Sequence, residues 1–409
     1  MSAEGLEHSP DFSRRARVSN LAAFSGIVVS SSVEPTHTWQ PCFIKLLPNE
    51  LDVFLEQCRY LRITVIDEIE RQLEDLAAVR LPSGGSHARQ EFVKNEVTGA
   101  GSRAAIGNWV YLPWEAKVVH LLDADSYFEV ITNRNRDKIT LEEQKRLRAK
   151  RIGVLGLSVG GEAAVTLAQE HLCGRIVLAD FDRLDLSNLN RLGAGFDDLG
   201  RNKAVIVARR IVKINPYLDI TVFDEGVTNE NLSAFLDGLD LLIEECDGLT
   251  LKHVIRRHAR ERRLNVVFAA DERGFLSVEP YAHWPELRPF HGRIKEPQPS
   301  RDSFPSAAAF WKALTEWLGG WDAISTRSRR SLEQIGTTLC GYPQLASEAR
   351  FAAGQVGHVA RRLLLGERLR PYCGHMDLDV LLAMIDDANS VLRGESSRLE
   401  PSGNVSDPG

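Results

Sequence analysis

The sequence predicts an α/β fold, a doubly wound and mostly parallel sheet with helical additions at its N- and C-terminal ends. Three observations carry this. From Arg151 onward, short apolar runs alternate with amphipathic stretches of helical period. Three of the runs end at a glycine or an aspartate, namely Gly156, Asp180 and Asp247. The amphipathic stretches are long enough to cross over between parallel neighbours, which makes βαβ units. Crossovers in such units are right-handed, and ligands gather at the carboxyl ends of the strands.

The elements follow in order. RIGVLG is a strand running into Gly156, and GGEAAVTLAQEHL is a helix. RIVLAD is the next strand, ending at Asp180. KAVIVARRIVKI is a helix closed by Asn215 and Pro216. DITVFDEG and LDLLIEECD are strands, LKHVIRRHARERR a helix and NVVFAA a strand. Upstream, ITLEEQKRLRAK is a helix whose Thr140 and Glu143 have capping-box spacing. Residues 51–76 carry apolar positions at helical period and predict one helix. Residues 81–89 predict a loop. NWVYLPW and KVVHLL predict strands or a buried link. The expected organisation is an accessory region over 1–125, with about the first 40 residues flexible. A ligand-binding domain over 126–290, a helical region over 291–390 and a disordered tail over 391–409 follow it.

Composition bounds the function. The 409 residues carry 43% hydrophobic and 26% charged residues, which excludes a disordered chain and a disulfide miniprotein. The net charge of −6 argues against a general nucleic-acid surface. Cys42, Cys58, Cys173, Cys246, Cys340 and Cys373 are scattered and show no zinc spacing. With no apolar leader and no long uncharged apolar run, the expectation is a cytoplasmic protein without a membrane span.

Four places can carry chemistry. GLSVGG, from Gly156 through Ser158 to Gly160 and Gly161, joins a strand to a helix. It can cradle a phosphate on backbone N–H groups, or it can be a tight turn. Asp180, at the end of the next strand, can accept from ribose hydroxyls or can be a solvated strand end beside Asp182 and Asp185. Arg191 and Lys203 lie downstream. A triphosphate needs such a cation pair, whereas ordinary surface charge does not. Asp247 in EECDG can hold Mg²⁺ or orient a reacting acid, or can be a turn residue. His253 and His258 have no metal spacing and read as a solvated helix face.

Together, GLSVGG, Asp180 with Asp182, SNLNR (187–191), Gly200 with Lys203, Asn215-Pro216 and Cys246-Asp247 resemble the E1-like adenylating family, the ThiF/MoeB/HesA group. The likeness covers about 130 residues strongly. RNRDKIT, DERGFLSVEP and YPQLASE extend it toward the branch that also occurs joined to nitroreductase-like domains. The resemblance implies a Rossmann-like fold that binds MgATP and adenylates a carboxylate: a ubiquitin-like C-terminus, a peptide or a small acid. It implies that Asp180 binds ribose, that Arg191 and Lys203 contact phosphates with Asn188 beside them, and that Asp247 lies near Mg²⁺ and the α-phosphate. It further implies a homodimer in which Arg136 or Arg134 reaches the partner's site, although the spacing to Gly156 is shorter than the family's. Leu192 stands where the family usually has glutamine, Ser158 interrupts the glycine loop, and the zinc cysteines of many members are absent.

The reaction so implied is attack of a carboxylate oxygen on the α-phosphate with pyrophosphate leaving. No general base is required, since the acid is already ionised at pH 7. Cys340 is a candidate thiol for a later transfer, while neighbouring carboxylates would raise the pKa of Cys246. Two other classes share parts of the pattern. An NAD-dependent oxidoreductase would use GLSVGG and Asp180 but leaves SNLNR, Lys203 and Asp247 idle. A non-catalytic ATP-binding scaffold would keep the fold without turnover.

Overall fold

In a computed structural model the chain is described over residues 17–18, 38–294 and 307–382. The flexible segment expected over the first 40 residues lies almost wholly outside these, and the disordered tail expected over 391–409 lies entirely outside.

The N-terminal part is built on a five-stranded sheet of β1 (Arg17–Val18), β2 (Cys42–Ile44), β3 (Thr64–Asp67), β4 (Asn108–Leu112) and β5 (Lys117–Leu121), in the order β1-β2-β4-β5-β3. The helices are α1 (Leu51–Tyr60), α2 (Ile69–Arg80), α3 (Ser86–Gly99) and α4 (Ala124–Ile131). The single helix expected over 51–76 is thus a helix, a strand and a second helix. Arg62, with φ of 57°, breaks the first helix, and the β-branched run Thr64 to Ile66 then pairs in parallel with β5. The expected loop at 81–89 is shorter, because α3 starts at Ser86. That helix buries no residue fully, and only Phe92, Val93 and Val97 pack on the core from it.

The main sheet contains β6 (Arg151–Leu155), β7 (Arg175–Ala179), β8 (Asp219–Phe223), β9 (Leu241–Glu244), β10 (Asn265–Ala269), β11 (Phe275–Glu279) and β12 (Tyr372–His375). Their order is β12-β11-β10-β9-β6-β7-β8. The five strands from β10 to β8 are parallel, while β11 and β12 each join antiparallel. The helices are α5 (Leu141–Arg148), α6 (Val159–Gln169), α7 (Lys203–Ile214), α8 (Leu232–Leu236), α9 (Leu249–Glu261), α10 (Ala307–Trp317), α11 (Thr326–Gln334) and α12 (Ala346–Leu364). Apolar side chains of α6, α7 and α12 cover one face of the sheet. Phe235 and Leu236 of α8 and Ile255 and Ala259 of α9 cover the other. This is the doubly wound arrangement. Within the stretch expected to be helical, β12 is a strand: YCGH has no strand periodicity of its own and is recruited by the free edge of β11. LDLLIEECD leaves the sheet at Glu244, so Asp247 lies in the loop before α9.

The Thr140–Glu143 capping box is formed. The two sheets are joined through Phe43, Val110, Val212 and Tyr217, and Tyr217 Oη donates to the Leu122 carbonyl. Among the described residues no helix is long and apolar enough to cross a membrane.

Candidate active site

β7 follows β6 to one side in the sheet, and β9 lies on the other side. The crevice where strand order reverses is the place where doubly wound sheets bind ligands. A cavity of about 670 Å³ opens there, at the carboxyl ends of the parallel strands. Ser158 after β6, Asp182 after β7, Asp247 after β9 and Asp271 after β10 all line it.

The glycine turn enters at Gly156, whose φ of +82° belongs to the left-handed region. A Cβ there would stand 2.5 Å from the Glu245 carbonyl oxygen, so only glycine fits between β6 and β9. Gly160 and Gly161, in the first turn of α6, pack on Glu245 and Val207. Of this turn, Ser158 and Val159 reach the cavity wall.

Asp180 is buried, 7% exposed. Its Oδ2 accepts from Leu157 N (2.7 Å) and its Oδ1 from Asp182 N (2.8 Å), so it ties the glycine turn to the end of β7. Burial raises its pKa against the pull of those N–H groups. It is Asp182, not Asp180, that lines the cavity.

Asn202 positions Lys203. Its Oδ1 caps α7 at Ala204 N (2.8 Å), and its Nδ2 donates to the Asp180 and Asp224 carbonyls (2.9 Å each). Lys203, the first residue of the helix, places its Nζ 2.8 Å from Asp182 Oδ2 and 3.5 Å from Ser158 Oγ. The 187–191 loop is held by Glu162, which accepts from Gly193 N and pairs with Arg210. Asn188 Oδ1 accepts from Asp185 N. Arg191 is half-buried at the cavity, and its Nη1 donates to Asn190 Oδ1 (2.9 Å). Burial lowers its pKa, while Asp271 and Asp247 pull it back up.

The structure therefore brings Ser158, Asp182, Asn188, Arg191, Lys203 and Asp247 to one cavity. Gly156, Gly160, Gly161 and Asp180 shape its floor. Arg136 and Arg134 are exposed and do not line it.

Several wall residues were given no role from the sequence alone, although Glu245, Asp271, Glu272 and Tyr342 fall within EECDG, DERGFLSVEP and YPQLASE. Glu245 is pushed well above the usual carboxylate range by burial, although Ala269 N donates to it. Lys252 of α9 is buried against Glu244 (3.1 Å) and lies over the rings of Phe268 and Trp317. Below it, Arg256 joins Glu244 to Glu279. Asp271 is raised to about 6, chiefly by burial. The C-terminal segment closes the far end. Glu272 accepts from Ser325 N, Ser328 Oγ and Tyr342 Oη, which pins the α10–α12 region over the crevice. Asn190 Nδ2 donates to the Gln344 carbonyl and ties the 187–191 loop to the same segment.

Cys246 also lines the cavity, with its pKa raised by burial first and by Glu244 next. Cys340 is exposed. His253 is not on a solvated face: it is half-buried with its ring 4.5 Å from that of Phe290. Among the described residues no group of three or more His, Cys, Asp or Glu could hold a metal ion.

Fold and cavity together define a doubly wound α/β protein whose crevice carries a glycine turn and the two cations Arg191 and Lys203. Residues 132–306 match the ThiF family, and this segment is a ThiF-family, E1-like domain. Over 344 residues the chain is 36% identical to "Uncharacterized protein MT1398" of Mycobacterium tuberculosis (strain CDC 1551 / Oshkosh), covering 82% of this chain and 45% of that protein. It is 28% identical to the Porphyra purpurea protein named "Probable molybdopterin-synthase adenylyltransferase", covering 42% and 45%. The chain thus spans under half the length of these relatives. The crystal structure of E. coli tRNA N6-threonylcarbamoyladenosine dehydratase aligns with a TM-score of 0.40 at 18% identity, over 57% of this chain and 94% of that one.

Proposed function

We propose that this protein is an ATP-dependent adenylyltransferase that activates a carboxylate as an acyl-adenylate and releases pyrophosphate. The observation that carries the reading is the convergence of Arg191, Lys203, Asn188 and Asp247 on one cavity at the strand switch point. A redox dinucleotide site has no need of that cation pair. The family assignment and the name of the Porphyra purpurea relative support the same chemistry.

In this reading, backbone N–H groups of the 156–161 turn and the start of α6 receive phosphate oxygens. Asp180 holds that turn in shape and offers its remaining lone pairs to the ribose, with Asp182 beside it at the cavity. Lys203 exchanges its pairing with Asp182 for the phosphates, and Arg191 offsets the charge that grows as pyrophosphate departs. The attacking carboxylate needs no base. Asp247 is exposed at the cavity and makes no hydrogen bond or ion pair among the described residues, which suits a hard cation that takes oxygen ligands. Bound there with the phosphates, Mg²⁺ would neutralise part of their charge. Arg136, exposed and away from its own chain's cavity, is the residue proposed to complete a second copy's site in a homodimer. A likeness to the branch joined to nitroreductase-like domains belongs to the same proposal.

The test is exchange of labelled pyrophosphate into ATP. Exchange must depend on an added carboxylate and must fall roughly 100-fold or more in Arg191→Ala and Asp247→Asn. Undiminished exchange in either variant would remove that residue from its role. Binding of NAD in place of ATP would move the protein to the redox class. Tight ATP binding with no exchange for any acid would make it a scaffold.

A further inference from the structure

The nucleotide end of the cavity is polar and its other end is not. Trp317, Leu318, Ile324 and Leu332, from the end of α10 to α11, wall the far side together with Phe268 of β10. Where the two ends meet stands a buried carboxylate, Asp271, whose charged neighbours are Arg191 and Asp247. Asp271 lines the cavity and is 9% exposed, and its Oδ2 is buried with no hydrogen-bond partner. Its neighbour Glu272 is fully engaged by Ser325, Ser328 and Tyr342. Arg191 lies near enough to attract Asp271 but forms no ion pair with it among the described residues, and in the adenylation reading Arg191 is committed to phosphate. The Gln344 side chain hydrogen-bonds this carboxylate, but its Oδ2 stays buried without a partner, which is costly, and with Arg191 committed to phosphate the site suits a positive group that arrives from outside.

We infer that the acid activated here carries an ammonium group beside an apolar side chain, and that Asp271 is the partner of that ammonium. The substrate class is an apolar amino acid, or a peptide presenting such a residue with a free amine. An ammonium offers three donors on a compact charge, which one buried carboxylate oxygen and the adjoining rings can receive. The apolar group lies against Trp317, Ile324 and Leu332. The inference rests on the adenylation reading for the position of the acid, but the recognition it describes can be measured without turnover.

The probes are 2-phenylethylamine and its uncharged counterpart 2-phenylethanol, titrated into the full chain by ligand-observed NMR. ATP affinity is measured separately by calorimetry. The amine should bind saturably and about 10- to 100-fold more tightly than the alcohol, the range for a charge-assisted hydrogen bond. Asp271→Asn should remove that preference and Asp271→Glu should keep most of it, with circular dichroism reporting the fold of both. In pyrophosphate exchange, phenylalanine should outperform 3-phenylpropanoate by a similar factor. Equal binding of amine and alcohol, or a preference that survives in Asp271→Asn, overturns the inference. So does displacement of the amine by Mg²⁺ alone, which would assign Asp271 to a metal. Failure of amine selection while ATP still binds leaves the adenylation reading standing. Loss of ATP binding as well removes both.

Discussion

Replacing Arg256 with methionine tests how the corner that carries Asp247 is held. Arg256 is fully buried, with Nε 2.7 Å from Glu279 Oε2 and Nη1 on Glu244, between the rings of Phe290 and Trp317. Methionine keeps the apolar stem and removes the charge. Glu244 would retain Lys252 and Cys246 N, and Glu279 would retain Tyr281 Oη and Phe290 N. Each carboxylate would lose its arginine while staying buried. Breaking a buried pair costs about 3–5 kcal/mol, because a charge is stranded. The double variant Arg256→Met/Glu279→Gln removes one stranded charge and should recover about 2 kcal/mol of that. The pH dependence gives a second handle. Burial pushes Glu244 up, but Lys252 and Arg256 outweigh it and hold the group at about 2. Without Arg256 its folded pKa rises. The deficit is therefore complete at pH 7 and shrinks as pH falls below the variant's pKa, where a neutral Glu244 no longer needs the arginine. Urea unfolding at pH 7 and pH 4 measures both effects. A loss under about 1 kcal/mol at pH 7, or a deficit that grows on acidification, would refute the reasoning.

Three further outcomes are expected. Gly156→Ala forces a left-handed alanine whose Cβ meets the Glu245 carbonyl, so stability should fall by at least about 1–2 kcal/mol. ATP affinity should fall with it, as read by calorimetry beside a melting curve. His171 is buried and held at about 4, by burial first and by Arg148 next. Its folded pKa lies below the unfolded value of 6.5, so the stability it supports is whole above 6.5 and declines as pH falls toward 4. Urea midpoints should show a shallower decline over that window in His171→Gln. Thr140→Ala opens the capping box before α5 and should cost about 1 kcal/mol in a denaturant titration, with little change in nucleotide binding.

The parallel core and the nucleotide end of the cavity were legible in the sequence because their signals are local. A strand that runs into GLSVGG, an aspartate closing the next strand and a lysine at the start of the helix KAVIVARRIVKI each read within a dozen residues. Asn202 itself could have been found, since Ser, Thr, Asp and Asn mark helix starts. The far end was legible only as the separate fragments DERGFLSVEP and YPQLASE, because it is assembled from distance. Asp271, Trp317, Ile324 and Tyr342 have no spacing in common and meet only when Glu272 pins the C-terminal segment over the crevice. Lys252 reads as one charge on a polar helix face, and only the fold turns that face inward. The split of 51–80 failed for the opposite reason: helical period and β-branched content compete there, and pairing with β5 decides.

The strand at 372–375 has a consequence for synthesis. It lies almost a hundred residues beyond β11, yet it supplies that strand's antiparallel neighbour. A ribosome that has released β11 has made every parallel strand of the sheet but has left one margin bare, with unpaired N–H and C=O groups facing solvent. Until the α12 segment and the four residues of β12 emerge, that margin is a template for any other extended chain. The same late segment roofs the cavity. Assembly of the crevice and protection against aggregation are therefore finished by one event, the emergence of the chain as far as His375.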